Sequence, residues 1–398
     1  LTHEPFFPLS GGGSAEALYL VDEFVRRGFQ VHVFCPKLAD LSQAQHRFAV
    51  TFHEFSRWEM GRYTKLRNVK YVFYPFALER LVMSQIQTGG TFDLIFSQHA
   101  ISAVTAGRLK KRLGVPVVMN FLDHLTGFMD AWPSYVAPKP LVGALKRFEL
   151  SLPARYDAEA VLTVSDALAA LFIKNGCPRD RLTPIYFGYD SGIFQLRKAV
   201  PQPSDESLVV MHGSFDTHHL GKIAIEALQT VFAARPRTRF RFVGHRTAAV
   251  ERLFNQAQAR MPGIRMECTG FVAYENVAAM LTEASVGMVP YERTIGTDCA
   301  FVAKPVEYAA LGIPIVCTPL ASVKSFFGQT PLVRFSEFDG TDFGRTILGW
   351  LNESPETIAQ WGAEASQRVK ATLDWRSISQ RAADVVEKVL ESSGTVKA

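Results

Sequence analysis

Long apolar runs are missing from this chain. No stretch approaches the roughly 18 uninterrupted apolar residues that a membrane-crossing helix needs, which sets aside a helical span. Cysteine is scarce: Cys35, Cys177, Cys268, Cys299 and Cys317 are five in number and far apart. No CxxC or Cys/His spacing occurs, so neither a zinc site nor a disulfide frame is expected, and reduced thiols in a cytosolic protein are the default. Runs of one charge are missing too. A formal charge of +5, dispersed along the chain, gives weak support for anionic ligands or an anionic membrane surface and no argument for nucleic acid. No signal peptide, internal repeat or low-complexity segment is visible in these residues. The opening LTHEPFFP has no methionine, and Leu1 and Thr2 read as the tail of a strand that begins before them.

What is present is ordinary globular composition, 47% hydrophobic and 20% charged over 398 residues, a length that favours two domains. Short apolar runs alternate with helical stretches. Strands fit 31–34, 94–97, 115–119 and 161–164 in the first half, with helices over 15–27, 103–113, 145–156 and 167–175. In the second half strands fit 208–211, 240–243, 264–268, 286–289 and 313–317, with helices over 223–234, 248–261, 274–283 and 305–311. This alternation predicts α/β architecture with parallel sheets covered by helices on both faces. It breaks once, at QLRKAVPQPSDES (195–207), whose prolines, serines and charges read as a linker. The expected organisation is a first domain over 1–195, a linker over 196–206 and a second domain over 207–372. A strongly amphipathic helix within 373–398 would follow, packing back across the domain junction. Ligands of such sheets bind beyond the carboxyl ends of the strands, so two domains facing each other there would form a cleft.

Three glycines, Gly11 to Gly13, stand between a strand end and a helix start. Glycine admits close backbone approach and a helix N-terminus attracts anions, so Gly12 and Gly13 are candidates for contact with a sugar or phosphate. A dinucleotide fingerprint is disfavoured: the order is Gly-Gly-Gly-Ser-Ala-Glu rather than GxGxxG. The next strand runs into Cys35-Pro36-Lys37 with no carboxylate for a ribose. In AKPVEYAALGIPIV (303–316), Pro305 suits a first helical position, Gly312 suits a helix exit, and Glu307 stands about one turn in beside Lys304. A diphosphate near the lysine and sugar hydroxyls near the glutamate would use both residues, while a plain offset of the helix dipole would also account for Glu307.

Taken in order, GGGSAEALYLVDEFVRRGFQVHVF, DAEAVLTVSDALAALFIKNG, IYFGYDSGIF, FRFVGH, CTGFV, KPVEYAALGIPIVCT and DWRSISQRAADVV resemble the GT-B glycosyltransferases over nearly the whole length. The resemblance is to the group that includes sucrose synthase-like and polysaccharide-assembly enzymes, family 4-like. It implies a GT-B fold, two doubly wound Rossmann-like domains with an interdomain cleft, and a nucleotide-sugar donor held in the C-terminal domain, most simply a UDP-sugar. It implies no bound metal and no cofactor. The family's paired glutamates are half present: Glu307 matches the second, which holds ribose hydroxyls, and Cys299 stands where the first would be. Lys304-Pro-Val-Glu307-Tyr308 looks like the lysine-bearing variant, in which the lysine reaches the donor phosphates. The family's arginine after Gly213 is replaced by Ser214, leaving Lys222 as a stand-in for the diphosphate lysine and His218 and His219 nearby. The resemblance puts Phe271 and Val272 at the turn that cradles the base and Tyr291 beside the donor.

On the acceptor side, His99 follows one strand, and Asp123 and His124 follow the next. NFLDHLTGF resembles the segment that supplies an aspartate base in bacterial exopolysaccharide glucuronosyltransferases. That match makes Asp123 the base of an inverting transfer, whereas in retaining relatives a nearby histidine instead hydrogen-bonds the transferred sugar, a role open to His99 or His124. The acceptor is a glycan, a lipid-linked glycan or a small molecule. Arg62, Lys65, Arg67 and Lys70 interleave with aromatics over 57–81, a candidate peripheral contact with the inner face of a membrane. The rivals to a glycosyltransferase are a nucleotide-sugar 2-epimerase of the same fold and a non-catalytic nucleotide- or glycan-binding protein.

Overall fold

The computed structural model describes residues 1–4, 7, 12–56, 69–132, 134 and 137–394. Two compact units form, one from Leu1–Phe187 with Arg376–Ala398 and the other from Gly188–Trp375.

In the first unit, β1 (His32–Pro36) pairs in parallel with β2 (Thr51–Phe55). A second parallel sheet runs in the order β3 (Ile95–Gln98), β4 (Val117–Phe121), β5 (Ala160–Thr163), β6 (Leu182–Pro184). Leu1 and Thr2 lie between the two: Gln98 N–H donates to Leu1 O at 2.9 Å and Thr2 N–H to Phe34 O at 3.0 Å. β4 and β5 are buried at every position, as a parallel strand covered on both faces must be. The glycines Gly12 and Gly13 open the helix Gly12–Arg26, and Gly11 lies outside the described residues. Of the basic cluster, Arg62, Lys65 and Arg67 also lie outside them, and the helix that carries Lys70 spans Val69–Gln87.

The second unit holds a six-stranded parallel sheet of β7 (Leu208–His212), β8 (Arg239–Val243), β9 (Arg265–Cys268), β10 (Val286–Val289), β11 (Ile315–Cys317) and β12 (Val333–Phe335). The order is β12-β11-β10-β7-β8-β9. The chain therefore builds outward from β7 through β8 and β9, then returns to the far side of β7 with β10. That reversal makes β7/β10 the switch point, where the connections leave in opposite directions and open a crevice at the strand ends. Among the described residues no helix is long and apolar enough to cross a membrane.

Two expectations need correction, on the linker and on the start of the lysine-glutamate helix. The stretch 196–206 is no free linker: the units divide at Phe187/Gly188, so it belongs to the second unit. Arg197 holds it there, its backbone N–H donating to Leu311 O at 3.2 Å and its buried guanidinium to Ala284 O at 2.6 Å. The closing helix spans Trp375–Ser392. From Arg376 on it counts with the first unit, where Arg27 pairs with Asp384 at 2.6 Å and Glu387 at 2.5 Å. The lysine-glutamate helix begins at Ala303, so Pro305 is its third residue and Glu307 opens its second turn. Proline is still tolerated there because the first turn's N–H groups have no intrahelical acceptor.

Candidate active site

The helix Ala303–Leu311 starts without a side-chain cap at Val302 and ends at Gly312 in the left-handed conformation, φ 72°. Tyr308 seats it on the sheet. Its ring lies over Gly287 of β10, where a Cβ would come within 2.6 Å of it, and its hydroxyl donates to Val210 O of β7 at 3.3 Å. The helix is thereby fixed above the switch point, and Lys304 and Glu307, three residues apart, share one face.

Lys304 is 6% exposed. Its Nζ donates to the Tyr291 hydroxyl at 2.7 Å and lies 5.3 Å from that ring's centroid. Tyr291 is itself buried and follows β10. Gly213, just past β7, has φ 97°, and a Cβ there would sit 3.2 Å from Nζ. The backbone conformation favours glycine there, and a Cβ would crowd the ammonium. Burial lowers the Lys304 ammonium to about 8, against weaker upward pulls from Glu307 and Asp216. Glu307 is equally buried and hydrogen-bonds His212 Nε2, the last residue of β7.

His219 is 7% exposed, and its ring lies 4.4 Å from that of Tyr291. Burial, then His218, then Lys304 hold its pKa well below the usual imidazole range. Asp216, His218 and His219 bring polar atoms within 4.8 Å of one another, a group of metal-ligand types that the expectation of no metal cluster did not include. At the neighbouring strand end, Gly244 and Gly270 form a bridge, and Phe271, 56% exposed, stacks on His245 at 5.0 Å and 25°. Val272 beside it is half-buried and Ser214 is exposed. Lys222 does not join the cluster. It opens the helix Lys222–Ala234 with its side chain 81% exposed and reaches Glu226 at 3.5 Å. The structure thus gathers Gly213, Tyr291, Lys304 and Glu307 and adds His212 and His219.

In the first unit, His99 and Asp123 with His124 follow the adjacent strands β3 and β4. His99 is a buried non-glycine residue at φ 67°, a conformation that costs energy and tends to persist where surrounding structure enforces it. Its ring meets His3 edge-on at 5.2 Å. Asp123 is half-buried, and burial, then Glu4 and Glu149, lift its carboxyl to about 7. His124 is buried with Nδ1 3.2 Å from Glu149, whose carboxylate also accepts the N–H groups of Leu125 and Thr126 at 2.8 Å each. Glu16, in the first turns of the helix Gly12–Arg26, is fully buried. Burial, against the side chains of Asn120 and Gln98 and with Asp123 adding to the rise, takes it to about 8.

Glu16 and His212 escape the sequence reading. Glu16 is a charged residue inside SAEALYLV and His212 ends the apolar run LVVMH, and nothing else local marks either.

Residues 10–192 match the model of Glycosyltransferase Family 4, and residues 206–353 that of Glycosyl transferases group 1. No curated protein sequence matches the chain. Among solved structures, sucrose-phosphate synthase from Thermosynechococcus elongatus superposes with a TM-score of 0.77 at 16% identity, covering 98% of each chain. Anabaena Alr3699/HepE, solved with UDP and glucose, gives 0.71 at 16% identity over 97% of this chain and 98% of that one. WaaG, a glycosyltransferase of lipopolysaccharide biosynthesis, gives 0.63 at 13% identity over 96% and 97%. With a Family 4 half, a group 1 half and this two-unit parallel α/β architecture, the chain belongs to the GT-B glycosyltransferases, enzymes that transfer sugar from a nucleotide sugar.

Proposed function

We propose that the donor is a UDP-sugar and that its diphosphate is gripped at the β7/β10 switch point of the second unit. One observation carries this: a buried ammonium, Lys304 Nζ, whose hydrogen bond goes to a neutral phenol, beneath a glycine that leaves the backbone open. A lysine taken out of water without a close carboxylate is costly, and an anionic ligand removes the cost. Glu307 holds the ribose hydroxyls with His212 behind it, and the exposed face of Phe271 takes the base. UDP in Alr3699/HepE supports the choice of base.

Asp123 acts as the base. The acceptor hydroxyl oxygen bonds to the anomeric carbon as its proton passes to the Asp123 carboxylate. The bond from that carbon to the diphosphate breaks, and its electron pair leaves on the phosphate oxygen facing Lys304. A displacement of this kind inverts the anomeric centre. His99 and His124 line the acceptor side, where a glycan, lipid-linked glycan or small hydroxylated molecule binds. Five free cysteines accord with a cytoplasmic setting, with or without peripheral contact at the membrane's inner face.

The test is calorimetry of UDP and uridine against wild type and Lys304→Met. The expected result is UDP binding weakened roughly 10–100-fold, the scale of one lost hydrogen bond to a charged group, with uridine unchanged. Absence of UDP binding to wild type, or equal weakening of both ligands, rejects the reading.

A further inference from the structure

The triad Asp216, His218 and His219 has the chemistry of a metal site, but the hydrogen bonding of His219 argues against one. The backbone N–H of Asp216 donates to His219 Nδ1 at 3.0 Å. Nδ1 therefore presents its lone pair to a proton, and in the neutral ring the other nitrogen, Nε2, must carry the hydrogen. A metal needs a free lone pair on a ring nitrogen. At Nδ1 the lone pair is engaged, and at Nε2 it is occupied by the proton.

The same arrangement makes His219 a donor. Among the described residues no group accepts from Nε2, although the residue is more than nine-tenths buried and its ring packs on Tyr291, the partner of Lys304. A donor with no protein acceptor, open to an incoming ligand near a buried ammonium, suits an anion with several acceptor oxygens. We infer that His219 is a further donor-binding residue, a neutral Nε2–H that bonds a diphosphate oxygen alongside Lys304. It supplies a hydrogen bond where the chain has Ser214 after Gly213 in place of the family's arginine, and where Lys222 points to Glu226 instead. The choice of UDP as one probe rests on the donor reading above, while inorganic pyrophosphate tests the anion contact alone.

Glutamine places an amide N–H near the position of a histidine Nε2, whereas asparagine mimics Nδ1. Wild type, His219→Gln, His219→Asn and His219→Leu are titrated with UDP, uridine and inorganic pyrophosphate. Zn²⁺ and Mn²⁺ are titrated alone. His219→Gln should stay within about threefold of wild type for UDP and pyrophosphate, and His219→Asn and His219→Leu should lose roughly tenfold or more, with uridine unmoved. Long-range ¹H–¹⁵N spectra of the intact wild-type protein should show the Nε2–H tautomer for His219, a readout independent of how the variants fold.

Wild-type affinity for UDP and pyrophosphate in His219→Asn and His219→Leu overturns the inference while leaving the donor reading intact. An Nδ1–H tautomer overturns it, as does a stoichiometric Zn²⁺ or Mn²⁺ site lost in all three variants. Pyrophosphate binding that depends on His219 without UDP binding upholds it and removes the nucleotide reading. Failure of wild type to bind either ligand removes both.

Discussion

Around β3 and β4, burial gathers carboxylic acids and pushes their pKa values up. At β7 and β10 it gathers an amine and imidazoles and pushes theirs down. In the first unit Asp123 rises to about 7 and Glu16 to about 8, each raised further by carboxylates nearby. In the second, Lys304 falls to about 8 and His218 to about 4, with burial the leading cause in both. The same desolvation thus favours the protonated form of carboxyl groups in one unit and the neutral form of an amine and an imidazole in the other.

The strongest way to break the comparison is Asp123→Asn. Transfer should fall roughly 10²–10⁴-fold while UDP affinity by calorimetry stays at the wild-type value. Retained turnover would remove Asp123 as base. The same variant reports on stability. The folded chain binds a proton at Asp123 that the unfolded chain releases between about pH 4 and pH 7. The stability from that proton is fully present below this window and is lost as pH rises through 7. Asp123→Asn should therefore raise Tm over wild type at pH 8 and not at pH 4, measured by calorimetric scans.

A smaller effect sharpens the contrast through pH. With Asp123 required deprotonated and Lys304 protonated, kcat/KM should rise through about pH 7 and fall above about pH 8. In Lys304→Arg, whose guanidinium keeps its charge, the alkaline limb should move up by at least a unit while the acid limb stays. An alkaline limb that stays at 8 assigns it to another group. Smallest of all, Phe271→Ala should weaken uridine and UDP equally, by roughly three- to tenfold, the scale of one aromatic contact of about 0.5–1.5 kcal/mol. A loss confined to UDP would take Phe271 away from the base.

Local pattern explains which parts of this were legible. β7 and β10 stand out as apolar runs between helices, and β10 runs over 286–289 as expected. Lys304 and Glu307 are visible because one short helix carries both. β2 is not, because TFHEF is only partly buried and so lacks a continuous apolar run. His212 meets Glu307 across 95 residues, and Glu16 meets Asn120 and Asp123 through folding alone, so no spacing in the chain announces either contact. Lys222 has the residue type a phosphate site wants, but its position at the first turn of an exposed helix face turns it to solvent.

The far end of the lysine-bearing helix meets the Leu196 side chain and the backbone of a neighbouring helix. A Cβ at Gly312 would lie 2.7 Å from Leu196 Cδ1 and 3.4 Å from Cα of Gly362 in the helix Pro355–Leu373, one at Gly362 would lie 3.0 Å from Gly312 O, and Ser366 Oγ donates to Ala310 O at 2.8 Å. Nine residues make a rod about 13 Å long. Two glycines remote from the chemistry thus act as its bearing, and a single methyl added there would be transmitted along a stiff shaft to the ammonium at the opposite tip.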